Sequence, residues 1–337
     1  MFSLVIPVYR NENSLEHLLL ELSRLASRLP QPLEVVLAVD GSPDACAAIL
    51  RDRLPACHFS SRLVCLSRNF GAFRAVAAGL NVASGDYFAV MAADLQEPIE
   101  LMEEFSRVLT SGEADVVFGY RLGRDDPWFA RAASNTFWWL YRKYVIPELP
   151  PGGADVFGCT RRVRDAVVAM PESVSNLVAL LIWLGFRRKF VAYQRQPRRA
   201  GRSAWNLAKR LRYAVDSVFC FTDLPIRILF LTGALGILFS AVLSGLVLVA
   251  KLRGAIAVPG YAPIVLTLAL LSSLILMGLG IVGEYVWLCL QNARRRPNYV
   301  IASSEHFGGR QAAAGTLPGG SAVEGELDVP GQLPERV

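Results

Sequence analysis

Histidine and cysteine are few and scattered. Three histidines (His17, His58, His306) and six cysteines (Cys46, Cys57, Cys65, Cys159, Cys220, Cys289) lack the close spacing of a metal cluster, which excludes a His/Cys metal centre and suits a reducing compartment. Lysine accounts for only 4 of the 35 basic residues, leaving 31 arginines. Such a skew reads as coding bias more than as selection for phosphate binding, so an arginine carries weight only where a motif places it. No secretory signal is expected, because the chain enters the apolar run Leu4-Val5-Ile6 almost at once. Charge is missing altogether from two stretches near the C-terminus, Ile228 to Ala250 (23 residues) and Ala255 to Gly283 (29 residues).

At about 1.5 Å per helical residue the first stretch reaches roughly 35 Å, enough for a hydrocarbon core of about 30 Å. The second crosses with tilt, or includes a short loop around Pro259, Gly260 and Pro263. Together they predict a transmembrane hairpin. Lys209, Arg210, Arg212 and Arg227 precede it and Arg294, Arg295 and Arg296 follow, whereas the connection carries only Lys251 and Arg253. The basic flanks place both termini in the cytoplasm. The alternative, two buried helices of a soluble protein, has the length of the uncharged runs against it. The tail from Ser303 carries five acids and two bases, so with a net charge of +6 on the whole chain, residues 1–302 hold +9. That sign fits both a positive-inside bias and an anionic ligand.

The first 120 residues alternate strand and helix. Apolar runs predict strands over 2–8, 33–39, 62–66, 87–91 and 115–119. Helices are expected over about 13–29, after Asp44, over about 71–83 and from Pro98. Asn13 with Glu16 resembles a capping box, and Pro98 suits a first helical turn. Continuous apolar strands between helices predict an α/β domain with a mainly parallel sheet flanked by helices on both faces. Ligands of such sheets gather at the carboxyl ends of the strands, where the polar clusters Tyr9 to Glu12, Asp40 to Asp44, Asp94 to Glu97 and Arg121 to Asp126 fall. Further helices are expected at 127–146 and 161–185. Ser203 to Phe221 reads as an amphipathic helix on a membrane surface, and the tail from Gly308 as disordered. The resulting organisation is a polar domain at 1–200, a juxtamembrane segment at 201–225, a two-helix hairpin at 226–290, and a basic flank and tail at 291–337.

Val5-Ile6-Pro7-Val8-Tyr9 with Glu12, then Asp40-Gly41-Ser42-Pro43-Asp44, Arg68-Asn69-Phe70-Gly71 and Asp94-Leu95-Gln96-Glu97-Pro98 resemble the ordered motifs of family 2 glycosyltransferases of GT-A, Rossmann-like fold. Ala200-Gly201-Arg202-Ser203, Gly280-Ile281-Val282-Gly283-Glu284-Tyr285 and Arg296-Pro297-Asn298-Tyr299-Val300 narrow the resemblance to the polyprenyl-phosphate glycosyltransferases, over about residues 2–301. The resemblance implies transfer of one sugar, with inversion, from a nucleotide-sugar to undecaprenyl or dolichyl phosphate on the cytoplasmic face of a membrane, in bacteria the inner one. It leaves a homo-oligomer open and points to no nucleic acid.

It also implies roles for particular residues. Pro7, Tyr9, Glu12, Asp40 and Ser42 would hold base and ribose. Asp94, supported by Gln96, would hold Mg²⁺ or Mn²⁺ against the diphosphate and so act in catalysis. Arg121, Arg131 and Ser134, with Arg202 and Ser203, would hold the acceptor phosphate. The chain departs from the family at three places: Val39 and Ala92 stand where aspartates are usual, and Phe157 where arginine is common. The metal site therefore lacks a usual carboxylate, which Mg²⁺ tolerates when substrate phosphates and water complete its shell. Trp138 and Trp139 are read as packing residues, and Glu284 as structural. Two rivals stand beside this reading. One is a scaffold that has lost catalysis, against which the retained Asp94, Gln96 and arginines argue. The other is a transferase acting on a glycan hydroxyl, which needs a general base for which no candidate is evident.

Overall fold

The apolar run Phe2–Val8 forms the central strand β1. The computed structural model describes residues 1–122, 156–170, 177–196, 224–253, 261–294 and 296–309, with 139, 142–143, 148–150 and 153–154. After β1 come α1 (Leu15–Arg28), β2 (Leu33–Val39), α2 (Cys46–Arg53), β3 (Ser60–Leu66), α3 (Ala72–Val82), β4 (Tyr87–Val90), α4 (Ile99–Thr110) and β5 (Val116–Arg121). Then follow β6 (Val156–Thr160), α5 (Arg161–Val168), α6 (Leu177–Trp183), β7 (Arg188–Tyr193), α7 (Leu224–Leu252), α8 (Tyr261–Ala293) and β8 (Ile301–Phe307). The strands make one sheet in the order β7-β5-β6-β4-β1-β2-β3-β8. β1, β2, β3 and β4 run parallel, as do β5 and β7, while β6 and β8 run antiparallel to their neighbours. The mixed α/β sheet with helices on both faces is the fold that the alternating pattern predicts; β6, β7 and β8 are strands that pattern did not indicate.

Side chains alternate across the sheet as strand geometry requires. On β1, Phe2, Leu4, Ile6 and Val8 enter the core shared with α1, α2 and α4, and Val5 enters the one shared with α3, α5 and α6. Leu15, Leu18, Leu22 and Leu25 recur at helical spacing on α1 and are fully buried. Replacing one with alanine is expected to cost about 2–5 kcal/mol.

Three local expectations are corrected. The capping box does not form: Asn13 lies inside a 3₁₀ turn, Glu12–Ser14, and the N-cap of α1 is Ser14. Ser14 Oγ donates to the Asn11 carbonyl instead (2.9 Å) and also contacts the Ala93 carbonyl (3.3 Å). Pro98 is the extended N-cap of α4 and not its first helical residue. The single helix expected at 161–185 is two, because Pro171 disfavours helical backbone at Met170. Most of 127–146, all of 203–221 and the tail from 310 lie outside the described residues.

α7 and α8 are helical over 29 and 33 residues. They touch where Leu229 fills the space over Gly278, 2.9 Å from where a Cβ would stand. Among the described residues no helix is long and apolar enough to cross a membrane. After α8 the chain returns to the sheet. The amide of Ser67 donates to the Val300 carbonyl (3.0 Å), β8 pairs with β3, and Arg51 Nε donates to both Glu305 oxygens (2.7 and 3.0 Å).

Candidate active site

From β1 the chain winds outward through β2 and β3 on one side, whereas β4 lies on the other. The crevice between the carboxyl ends of β1 and β4 is therefore the topological switch point, where open sheets of this kind take ligands. Pro7 helps to open it. The Val5 carbonyl accepts from Met91, so on the alternating strand the nitrogen of Pro7 also faces β4, just beyond that strand's end at Val90. A residue without an N–H loses no ladder bond there. The strands part, and the loop after β4 swings clear.

On the other side of the crevice two loops are stitched together. The amide of Arg10, a non-glycine residue at φ 55°, donates to Ser42 Oγ (2.8 Å). Ser42 donates in turn to Asp44 (2.6 Å), which also contacts the Glu12 amide (3.4 Å). The Glu12 carboxylate accepts from the Ala45 amide at the start of α2 (3.1 Å). Beneath them the buried Cys46 thiol lies between the Asn11 amide (3.4 Å) and the Asp44 carboxylate (3.2 Å). Burial pushes that thiol up to about 12, reinforced by Asp44. Burial also pushes Asp44 upward, but its bonds from Ser42, Cys46 and Glu12 outweigh this and hold it below its ordinary value. Tyr9 is half-buried at the end of β1, with the Arg10 guanidinium 5.4 Å from its ring centre.

Asp40 is the anchor of this side. It is buried, and its carboxylate accepts the amides of Phe70 (2.7 Å) and Gly71 (2.8 Å). Burial raises its proton affinity against the pull of those amides and of Arg74 and Arg68. Asp40 thus secures the loop after β3, where Arg68 stacks on Phe70 at 4.3 Å.

Facing these loops across the crevice, the loop after β4 presents Asp94. Leu95 next to it holds φ 53°, a left-handed conformation that an unrestrained leucine avoids. The loop is tied down around it. The Ala92 amide donates to Glu97 (3.1 Å), the Gln96 amide to Asp94 (3.4 Å), and the Gln196 amide to the Gln96 carbonyl (2.9 Å). The Arg195 guanidinium contacts the Gln96 side-chain oxygen. Among the described residues no three carboxylates, cysteines or histidines gather to hold a metal. With alanine at position 92 and Glu97 turned to the Ala92 amide, this loop offers a divalent ion the half-buried Asp94 carboxylate. That set suits an ion whose remaining ligands are phosphate oxygens and water.

Residues 3–168 match the family described as Glycosyl transferase family 2. An uncharacterized glycosyltransferase of Synechocystis is 31% identical over 304 residues, covering 89% of this chain and 94% of its own. The chain belongs to glycosyltransferase family 2. It is also 31% identical to an undecaprenyl-phosphate 4-deoxy-4-formamido-L-arabinose transferase of Aeromonas hydrophila, covering 89% of this chain and 93% of the other. A prophage-derived bactoprenol glucosyl transferase of Shigella flexneri is 29% identical, over 90% and 97%.

In this glycosyltransferase Pro7, Tyr9, Glu12, Asp40 and Ser42 come together on one side of the crevice, and Asp94 and Gln96 on the other. Arg121 is the last residue of β5, paired with Tyr193 and half-buried. Arg131, Ser134, Arg202 and Ser203 lie outside the described residues. Phe157 is buried in β6 opposite Phe118, a core position. Trp139, expected to pack, is 51% exposed, with the Lys143 ammonium over its ring at 5.0 Å. Sequence reasoning missed Asn11, Cys46 and Arg195. Cys46 and Asn11 could have been found from their place beside quoted motifs; Arg195 follows a strand with no clear period.

Proposed function

We propose that this glycosyltransferase moves a single sugar from a nucleoside-diphosphate sugar to a polyprenyl phosphate at a membrane surface. What carries the reading is the reach of the similarity. The likeness to the Aeromonas undecaprenyl-phosphate transferase extends over 89% of this chain, far beyond the matched 3–168 and into the region of α7 and α8.

The membrane part of the proposal rests on sequence and exposure together. Uncharged runs of 23 and 29 residues lie largely within α7 and α8. Leu235, Leu238, Leu276 and Leu279 on these helices are 55–68% exposed. A display of that kind costs free energy in water and none in lipid. The return of β8 to the sheet supports a hairpin that brings the chain back to the side it left, the side the surrounding basic residues imply. Both termini then lie in the cytoplasm, as part of an integral protein of a bacterial inner membrane.

Chemically, a phosphate oxygen of the acceptor bonds to C1 of the sugar while the bond from C1 to the diphosphate oxygen breaks. In-line attack inverts the anomeric centre. The acceptor phosphate has a second pKa near 6 and is largely dianionic at neutral pH, so no general base is required. Pro7, Tyr9, Glu12 and Ser42 line the nucleotide side, with Asp40 fixing the loop behind it. Asp94 would hold Mg²⁺ or Mn²⁺ together with the donor phosphates; such an ion, when bound, neutralises the departing diphosphate. Arg121, with Arg131, Ser134, Arg202 and Ser203, holds the acceptor phosphate beside it.

Purified full-length protein incubated with a panel of labelled nucleotide sugars and undecaprenyl phosphate tests this. Lipid-soluble label from at least one donor is expected. None across the panel, while a related transferase works in parallel, would overturn it.

A further inference from the structure

Gln96 is gripped by the segment that follows β7. The Gln196 amide holds its carbonyl at 2.9 Å and the Arg195 guanidinium meets its side-chain oxygen, while its own amide turns back on Asp94 at 3.4 Å. Gln96 is 8% exposed, whereas Arg195 is exposed, on the wall of a cleft of about 590 Å³ that Glu100, Glu104 and Tyr193 also line. A fixed positive charge is thereby oriented at the carboxyl end of the sheet, one amide away from Asp94. It stands beside the loop in which position 92 is alanine and Asp94 is the carboxylate offered to a divalent ion.

Asp94 with one divalent ion leaves a net charge of +1 facing the diphosphate, and the Arg195 guanidinium would add a second positive charge. Arginine also presents its donors as a planar fork that fits two phosphate oxygens at once. We infer that Arg195 is a phosphate-binding residue of the donor site, supplying from the protein part of the positive charge that a diphosphate leaving group needs. The Gln96 side chain orients the guanidinium, and the backbone bond from Gln196 keeps that orientation tied to the Asp94 loop.

This inference rests on the donor reading above, and a binding measurement separates the two. Full-length protein is titrated calorimetrically with UDP, GDP and TDP, first in EDTA and then in Mg²⁺. At least one nucleotide binds in EDTA. Arg195→Gln weakens that binding by about tenfold or more, as loss of one charge-assisted bidentate contact does, and by less in Mg²⁺. Arg195→Lys, which keeps the charge without the fork, falls between. An unchanged unfolding temperature shows that the exposed substitution leaves the fold intact. Equal affinity of wild type and Arg195→Gln in EDTA overturns the inference, as does absence of binding by all three nucleotides without a divalent ion. Nucleotide bound through Arg195 but no lipid-linked sugar formed would remove the acceptor reading alone.

Discussion

Asp40 grips Gly71: one carboxylate oxygen accepts the Gly71 amide at 2.8 Å and the other accepts that of Phe70 at 2.7 Å. The grip needs the loop after β3 to lie directly against the turn after β2, and Gly41 permits it. Gly41 sits at φ +55°, and a Cβ there would stand 2.3 Å from the Arg68 carbonyl carbon and 2.5 Å from the Asn69 nitrogen. Gly41→Ala is expected to destabilise the fold by about 1–3 kcal/mol from backbone strain alone, and further from the clash. It should also weaken nucleotide binding, since both loops must separate. Thermal unfolding and calorimetry check this; a variant that unfolds and binds like wild type would remove the close approach from the account.

Two buried carboxylates make opposite predictions for pH. Glu34, 1% exposed, pays a burial penalty that raises its proton affinity, but Ser3 (2.5 Å), the Ser84 amide (2.8 Å) and hydroxyl (2.7 Å), and Arg62 outweigh it and lower its pKa below 4.5. Its ionised form is favoured by folding, so its contribution is present above the ordinary carboxylate range and is lost as pH falls through the lowered value. Asp40 has its pKa raised, chiefly by burial. The folded state then keeps its proton longer than the unfolded one, and stability declines as pH rises through the window above 3.8. Glu34→Gln is expected to cost about 1–3 kcal/mol near neutrality. That difference from wild type should shrink on acidification, whereas Asp40→Asn should gain on wild type as pH rises. Unfolding at a series of pH values measures both, and a Glu34→Gln deficit that grows on acidification would contradict the assigned direction.

The parallel strands β1 to β4, and β5, were legible because they are short continuous apolar runs, each closed by a polar turn. β6 and β7 were not. Val156–Thr160 holds a glycine and a cysteine, and Arg188–Tyr193 alternates weakly, so neither exceeds background; their strand character comes from pairing with β4 and β5. β8 is harder still, since Ala302, Ser303, Ser304, Glu305 and His306 have no strand propensity to speak of, and only β3 recruits them. In the site, the described residues after β1 and β2 meet through Arg10, Ser42, Asp44 and Glu12. What sequence could not tell is which way a polar side chain points: the Asp40 carboxylate turns inward to two amides, and the Gln96 carboxamide meets Arg195 from 99 residues away.

Asp94 is the one aspartate of the loop after β4, position 92 is alanine, and the side chains of Gln96 and Glu97 meet Arg195 and the Ala92 amide. Asp94→Ala should therefore abolish transfer, with loss of about 10²–10³ in kcat as for removal of a single electrostatic group at a leaving-group site. Ala92→Asp should lower the Mg²⁺ concentration giving half-maximal rate, because a second carboxylate tightens a hard-cation site. Both are read from initial rates over a Mg²⁺ series. Full activity in Asp94→Ala would take that carboxylate out of the mechanism.

Tyr299 joins α8 to the catalytic sheet. Its ring packs against the core shared with α3, and its hydroxyl is hydrogen-bonded to Asn81 on that helix. The next residue, Val300, holds the Ser67 amide at the start of the loop that Asp40 secures. Tyr299→Phe keeps the ring and drops one hydrogen bond, so it should cost about 0.5–1.5 kcal/mol. Tyr299→Ala empties a half-buried site and should cost more, about 2–4 kcal/mol, below the full range for a buried aromatic. Glu305→Ala, which breaks an exposed pair with Arg51, should leave the unfolding temperature nearly unchanged. The ordering is the test, read from thermal unfolding in detergent. If Glu305→Ala proved as damaging as Tyr299→Ala, the edge pairing of β8, and not the Tyr299 contact, would be what ties the helical hairpin to the sheet.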